Sequence, residues 1–172
     1  MTDRKSDDFI RVTVGAIMLD PFTNAPIVIL KDEAEKHTVP IWIGVVEASA
    51  IAVQLEKVVL SRPLTHDLLK NIIGVLGGTV DRIDVVDLKE STYYAAIHIS
   101  AGDKHFEIDS RPSDAIALAL RTDSPIFLHK QVIEKSAKID ARKIPNFSEE
   151  DKEKWAELLE NMNPDDFSKY KM

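Results

Sequence analysis

The chain has 172 residues, a length typical of one domain or of one domain with an appendage. It contains no cysteine, which excludes disulfides, thiolate metal sites and thiol nucleophiles. The net charge of −7, from 29 acidic and 22 basic residues, disfavours a DNA-coating role but leaves room for a small anion site.

The first half of the chain is predicted to start with strands and continue with two helices. Short β-branched runs separated by turn sequences predict strands at Phe9–Leu19, Pro26–Leu30 and Val39–Gly44. Alanine and aliphatic residues at helical spacing then predict a helix at Val45–Leu60, which is nearly apolar all round and is therefore expected to be mostly buried. A second helix is predicted at Leu64–Leu76, with Thr65 as its N-cap and Gly77-Gly78 as its end.

The second half returns to strands before a third helix. Alternating segments predict strands at Thr79–Leu88, Tyr93–Ser100 and His105–Asp109. A helix is predicted through "SDAIALALRT", then a strand at Pro125–His129 and one or two helical turns in "KQVIEKSA". The elements together predict an α+β fold with mixed, largely antiparallel strands and packed helices.

The chain is predicted to divide into a domain at residues 1–135 and an appendage at residues 136–172. The appendage contains a polar linker, a capped amphipathic helix at Ser148–Met162 and a C-terminal arm with Phe167 and Tyr170. The aromatic arm and the amount of apolar helix surface predict a homo-oligomer.

No membrane contact is expected, because no apolar run reaches the ~18 residues that a spanning helix needs and "MTDRKSDDF" lacks an apolar signal segment. The expected location is therefore the cytoplasm. No phosphate-binding loop or dinucleotide glycine motif is present, so no organic cofactor is expected.

The tripeptide Ser-Arg-Pro occurs twice, at Ser61 and at Ser110, and an apolar helical run follows it each time. Proline suits the first turn of a helix, but an arginine adds positive charge where the helix dipole is already positive. An anion is therefore expected near each arginine, either an internal carboxylate or a bound ligand.

The first of these corners, "RPLTHDL", contains several groups that can handle a phosphate. Arg62 can donate forked hydrogen bonds to it, His66 can exchange a proton near neutral pH, and Asp67 can orient that imidazole or bind a divalent cation. The alternative is that Thr65 and Asp67 only cap the helix and that His66 lies on its surface.

The second corner, "EIDSRPSDAIALAL", carries more charge. Glu107 and Asp109 share one face of a strand, and Ser113 and Asp114 follow at the start of the helix. Such a corner can hold a metal or position a phosphate. An internal network between Arg111 and carboxylates explains the same residues.

Glu47 lies in the first turn of the apolar first helix. An acid favours the helix dipole there, but a buried carboxylate also needs a partner. We therefore expect an ion pair between Glu47 and an arginine of one Ser-Arg-Pro corner.

The segments "PIWIGVVEASAIAVQLE", "RPLTHDLL" and "IDSRPSDAIALALRTDSPIF" occur in this order and together resemble the bifunctional nuclease domain family. The resemblance covers roughly residues 9–130. It implies a half-barrel-like sheet with packed helices and the hydrolysis of both DNA and RNA.

The leading hypothesis is a nuclease that cleaves RNA and DNA with little sequence specificity. The candidate catalytic residues are His66, Asp109, Asp114 and Glu47. Arg62, Arg111 and Ser113 are the candidate substrate-binding residues, and Asp109, Asp114 and Asp67 are candidate ligands of Mg²⁺ or Mn²⁺. The alternative is a non-catalytic binding or assembly module that contains an internal arginine–carboxylate network.

Overall fold

The computed structural model describes residues 8–21, 23–34 and 36–137. The predicted linker, amphipathic helix and C-terminal arm lie outside these residues, so the boundary at residue 135 stays a prediction. The elements are, in chain order, β1 (Phe9–Leu19), β2 (Pro26–Asp32), β3 (Thr38–Trp42), α1 (Val45–Leu55), α2 (Thr65–Val75), β4 (Gly78–Lys89), β5 (Thr92–Ala101), β6 (Lys104–Ser110), α3 (Pro112–Thr122), β7 (Ile126–His129) and α4 (Lys130–Ser136).

The strands form one sheet in the order β3-β2-β1-β7-β4-β5-β6. Strand β7 joins two antiparallel groups, because it pairs antiparallel with β1 and parallel with β4. The remaining pairs are antiparallel. The sheet is not closed, and the α+β prediction with a mixed, largely antiparallel sheet is confirmed.

Helix α3 forms the centre of the hydrophobic core. Its residues from Ala115 to Ala119 are at most 1% exposed, and they pack with α1 and with the apolar face of β4 and β5. Alanine at alternate positions of this segment permits close approach of the backbones, and each large aliphatic side chain buried beside it contributes about 1.5–3 kcal/mol. This core holds the N-terminal ends of α1 and α3 in place.

Helix α1 is shorter than predicted. It ends at Leu55 rather than Leu60, because Lys57 has a left-handed backbone with φ of 52° and the chain leaves the helix there. Val58 and Val59 then lie exposed in the connection to α2. The helix is buried at its centre, but Val45 and Val46 at its start are exposed, so the prediction of burial on most sides is only partly correct.

Helix α2 begins at Thr65, one residue after the predicted start at Leu64, and Leu64, not Thr65, is its N-cap residue. The side chain of Asp67 accepts a hydrogen bond from the backbone N–H of Leu64 at 2.8 Å and caps the helix in place of a hydroxyl. No residue of α2 is fully buried. Its outward face, which we call the α2 apolar face, consists of Leu68, Leu69, Ile72, Val75 and Leu76.

No helix in the described part of the chain is both long and apolar enough to cross a membrane. The predicted cytoplasmic location stays a prediction.

Candidate functional site

Four charged or titratable side chains from three helices meet in one group, which we call the Arg111 cluster. Arg111 donates from Nη1 to Glu47 Oε1 at 2.9 Å, and from Nε and Nη2 to the two oxygens of Asp114 at 2.6 and 3.1 Å. His66 Nε2 lies 3.1 Å from Asp114 Oδ1. The expected ion pair between Glu47 and an arginine of a Ser-Arg-Pro corner is confirmed.

The cluster forms because three helices begin near one another. Glu47 lies in the first turn of α1, His66 in the first turn of α2, and Asp114 in the first turn of α3. Arg111 is the N-cap residue of α3, in an extended conformation, with Pro112 at the first helical position. The two carboxylates therefore supply the anions that this cation was expected to have nearby.

The Arg111 cluster is open to solvent on the arginine side. The side chain of Arg111 is 65% exposed, that of Asp114 is 32% exposed, and that of His66 is 13% exposed. The hydrogen bonds that Arg111 donates to Asp114 and then to Glu47 raise the pKa of Arg111. Burial favours the neutral form of Asp114, but the hydrogen bonds from Arg111 and His66 outweigh it, and the pKa of this carboxyl lies below its ordinary value. Asp114 is therefore an anion at neutral pH and cannot act as a general acid there.

Asp67 does not join the cluster, although it follows His66 directly. Its Oδ1 accepts a hydrogen bond at 2.7 Å from Nε of Arg121, whose side chain is only 2% exposed. Arg121 also donates from Nη1 to the carbonyls of Ala50 and Ala117 at 3.0 and 2.8 Å, so it connects α1, α2 and α3.

The sequence reasoning missed Arg121. The available signal was its spacing, since it lies four residues after Ala117 and eight after Ser113 on the apolar stripe of α3. A cation on such a stripe is buried and needs an acidic partner from a neighbouring helix.

The other two candidate substrate-binding residues are also outside the cluster. Arg62 is exposed, makes no hydrogen bond or ion pair with the described residues, and lines a cavity of about 290 Å³ together with Asp67 and Arg121. Ser113 is buried in the first turn of α3. Only one arginine of the two Ser-Arg-Pro corners therefore reaches the acidic group.

Asp109 lies on a different surface from Asp114. It is paired in register with Ala96, whereas the neighbouring residues Ala95 and Ile97 face the helices and the core. Asp109 therefore points to the opposite face of the sheet, where it lines a cavity of about 390 Å³ with Asp87, Tyr94 and His129. The predicted proximity of Asp109 to Asp114 is wrong. Asp109 lies on the face of the sheet opposite the core, whereas Asp114 lies in the first turn of α3.

The three carboxylates predicted as metal ligands do not meet. Asp109 is on the other face of the sheet, Asp67 is held by Arg121, and Asp114 is held by Arg111 and His66. Within residues 8–21, 23–34 and 36–137, no group of three or more acidic or histidine side chains is arranged to hold a metal ion. This arrangement does not fit the predicted Mg²⁺ or Mn²⁺ site.

A second polar group, also missed by the sequence reasoning, occupies the face of β4, β5 and β6 opposite the hydrophobic core. Asp84 is fully buried, and its Oδ2 contacts His98 Nε2 at 2.8 Å and Arg82 Nη2 at 3.2 Å. Nearby, Ser100 Oγ donates to Asp81 at 2.5 Å and lies 2.9 Å from His105 Nδ1. The spacing of two residues between Arg82 and Asp84 in β4, and between His98 and Ser100 in β5, was the signal available for this group.

A family model described as the bifunctional nuclease domain matches residues 28–141. An uncharacterized protein of Mycobacterium tuberculosis is 35% identical over 161 residues, which cover 91% of this chain and 96% of the relative. Proteins named bifunctional nuclease 2 from Arabidopsis thaliana and from Oryza sativa subsp. japonica are 26% identical over 62% of this chain, and the matches cover 33% and 34% of those proteins.

Proposed function

The chain belongs to the bifunctional nuclease domain family, and from this premise we propose that it hydrolyses phosphodiester bonds in RNA and DNA with little sequence specificity. The observation that carries the proposal is the Arg111 cluster, where an exposed guanidinium lies beside an imidazole and two carboxylates. Three helix N-termini meet there, and their N–H groups and dipoles favour a bound anion.

Arg111 is suited to bind the scissile phosphate. The hydrogen bonds to Glu47 and Asp114 use three of its five N–H groups and hold the guanidinium plane in one orientation. Two N–H groups remain for the oxygens of a phosphate, and the exposed side chain can be reached by a polymer. A fixed guanidinium stabilises the charge that develops on those oxygens in the transition state.

His66 is suited to move the proton. The ionised Asp114 favours a proton on the Nε2 atom that contacts it, which leaves Nδ1 of the neutral imidazole as the acceptor. A water oxygen then forms a bond to phosphorus while its proton passes to Nδ1. The bond from phosphorus to the leaving oxygen breaks, and the imidazolium returns the proton to that oxygen.

Replacing His66 with glutamine is expected to lower kcat about 10²- to 10⁴-fold and to change the pH–rate profile, because glutamine cannot accept and return a proton. Glutamine can still donate to Asp114, so the structure of the cluster is preserved while the proton acceptor is lost. The measurement is a pH–rate profile on a single-stranded oligonucleotide.

His98, on the sheet face opposite the core, gives a matched control, and His98→Gln is expected to keep the parental profile. All variants are purified in the same way, so that a contaminating nuclease would appear equally in each. Parental rates and an unchanged profile in His66→Gln would remove His66 from the mechanism.

Mg²⁺ or Mn²⁺ stays a prediction from the sequence, and no step above depends on it. It is checked by treating the protein with EDTA and then restoring each ion, with cleavage as the readout.

We also propose that the protein is a homo-oligomer that buries the α2 apolar face against a second copy. The five side chains of this face are between 38% and 88% exposed. Together they expose roughly 500 Å², a large part of the ~800 Å² that each partner buries in a standard interface. They lie on one side of a helix that has no buried residue, so burial in an interface would remove this apolar surface from water.

Changing Leu69 and Ile72 together to glutamate is expected to convert the oligomer to single chains, because two charges would be desolvated at the interface. Light scattering coupled to gel filtration measures the mass. Lys70→Glu, an exposed position between them, is the control and is expected to keep the parental mass. A parental protein with the mass of one chain contradicts the proposal.

The second candidate function is the non-catalytic binding or assembly module. The observation that favours it is that Arg111 is already paired with two carboxylates of its own chain.

A further inference from the structure

We propose that the cavity between Arg62 and Arg121 is a second phosphate-binding site, distinct from the Arg111 cluster. We call it the Arg62 cavity. It has a volume of about 290 Å³, and its polar wall is formed by Gln54, Ser61, Arg62, Asp67, Asn71 and Arg121. This inference rests in part on the proposed nuclease function, because it assigns the cavity to a second phosphate of the same substrate.

Arg121 lines this cavity and carries one unsatisfied donor, which is buried. Its Nε is bonded to Asp67 and its Nη1 to the carbonyls of Ala50 and Ala117, but its buried Nη2 has no hydrogen-bond partner in the described structure. A buried N–H group without an acceptor is costly to the fold. An anion in the cavity supplies the missing acceptor when the Arg121 guanidinium shifts enough to expose Nη2, which is buried.

Arg62 provides a second guanidinium which, unlike that of Arg121, has no partner among the described residues. It lies exposed on the wall of the same cavity and makes no hydrogen bond or ion pair with the described residues. Its role therefore differs from that of Arg111, whose charge is balanced by Glu47 and Asp114. The two Ser-Arg-Pro corners therefore carry the same tripeptide in different surroundings.

The charge of the cavity favours an anion. Two guanidinium groups face one carboxylate, Asp67, and both of its oxygens are already occupied by Arg121 Nε and the backbone N–H of Leu64. Ser61, Asn71 and Gln54 add neutral donors, and the N-terminus of the 11-residue helix α2 adds its dipole. Guanidinium pairs match the tetrahedral oxygens of a phosphate.

The position of the cavity suits a single strand of nucleic acid that also contacts the Arg111 cluster. Asp114 and Arg121 are seven residues apart on one face of α3, which corresponds to about 10 Å along the helix. A short single strand can therefore place one phosphate at Arg111 and another in the cavity. The volume lies at the lower end of the ~300–1,000 Å³ of small-ligand sites, so a phosphate with its sugar is a suitable occupant.

The test is a binding measurement that needs no cleavage. Calorimetric titration of the full chain with inorganic phosphate, and separately with a non-hydrolysable phosphorothioate dinucleotide, gives the two affinities. We expect Arg62→Ala to weaken at least one of them tenfold or more. Lys70→Ala, which removes an exposed cation of α2 outside the cavity, is the matched control and is expected to leave both affinities unchanged.

The two ligands distinguish the possible sources of the phosphate. If the dinucleotide binds more tightly than inorganic phosphate, the cavity is assigned to a nucleic-acid strand. If the two ligands bind with equal affinity, it is assigned to a free or terminal phosphate. The absence of binding for both ligands overturns the proposal, as does equal weakening in Arg62→Ala and Lys70→Ala.

The variant Arg111→Ala separates this inference from the proposed function. If that variant cleaves at the parental rate, the mechanism at the Arg111 cluster fails. The Arg62 cavity still stands in that case if Arg62→Ala has lost affinity for phosphate.

Discussion

Replacing Arg111 with alanine is expected to lower the cleavage of RNA and DNA by about 100- to 1,000-fold while the protein stays folded. The loss follows from removing the only guanidinium of the Arg111 cluster, which is the group placed to stabilise the transition-state phosphate. The stability is expected to change by ~1 kcal/mol or less, because the side chain is 65% exposed and solvent screens its ion pairs. Initial rates on labelled oligonucleotides and thermal unfolding measure the two effects.

Two further variants sharpen this prediction. Arg111→Lys keeps the charge but cannot bridge Glu47 and Asp114 with a planar fork, so it is expected to recover only part of the rate. Arg11→Ala removes another exposed arginine, 62% exposed on β1, and is expected to cleave at the parental rate.

The same measurements decide between the two candidate functions. Parental cleavage by Arg111→Ala would contradict the nuclease mechanism at this cluster. A parental protein without cleavage, combined with a loss of several kcal/mol of stability in Arg111→Ala, would favour the non-catalytic module, in which the network is structural.

Replacing Arg121 with leucine is expected to lower the free energy of unfolding by about 3 kcal/mol or more. The substitution leaves the carbonyls of Ala50 and Ala117 and the carboxylate of Asp67 without their donor, and it removes the contact that connects three helices. Leucine fills part of the space that the arginine side chain occupies, so the loss of unfolding free energy measures mainly the polar contacts. Urea unfolding followed by circular dichroism measures it.

Asp67→Asn is the matched partner variant. Asparagine keeps an acceptor for Arg121 and removes the charge, so a smaller loss of about 1–2 kcal/mol is expected. The double variant is expected to be less unstable than the sum of the two single losses, because the side chains act on each other. An unfolding free energy of Arg121→Leu within ~1 kcal/mol of the parental value would contradict the role given to this arginine.

Arg111 and Arg121 lie on the same helix and are expected to behave in opposite ways. The first lies at the exposed start of α3, so its loss is expected to affect the reaction. The second is almost completely buried, so its loss is expected to affect the fold. Their difference is one of solvent exposure, since both make hydrogen bonds to carboxylates.

The sequence by itself determined the strands, the helices and the α+β class, because these follow from hydrophobic periods of two and of about 3.6 residues. It also determined that Glu47 would pair with an arginine, since an acid at the start of an apolar helix needs an opposite charge. The order of three long motifs was sufficient to indicate the family.

Only the tertiary structure decided which charged groups meet. Asp109 and Asp114 are five residues apart, yet the pleat of β6 directs Asp109 to the face opposite the core, while Asp114 lies in the first turn of α3. Asp67 and His66 are adjacent, yet they point to Arg121 and Asp114 at different levels of α3. Local sequence specifies the direction of a side chain relative to its own element, whereas the partner it reaches depends on how the helices pack.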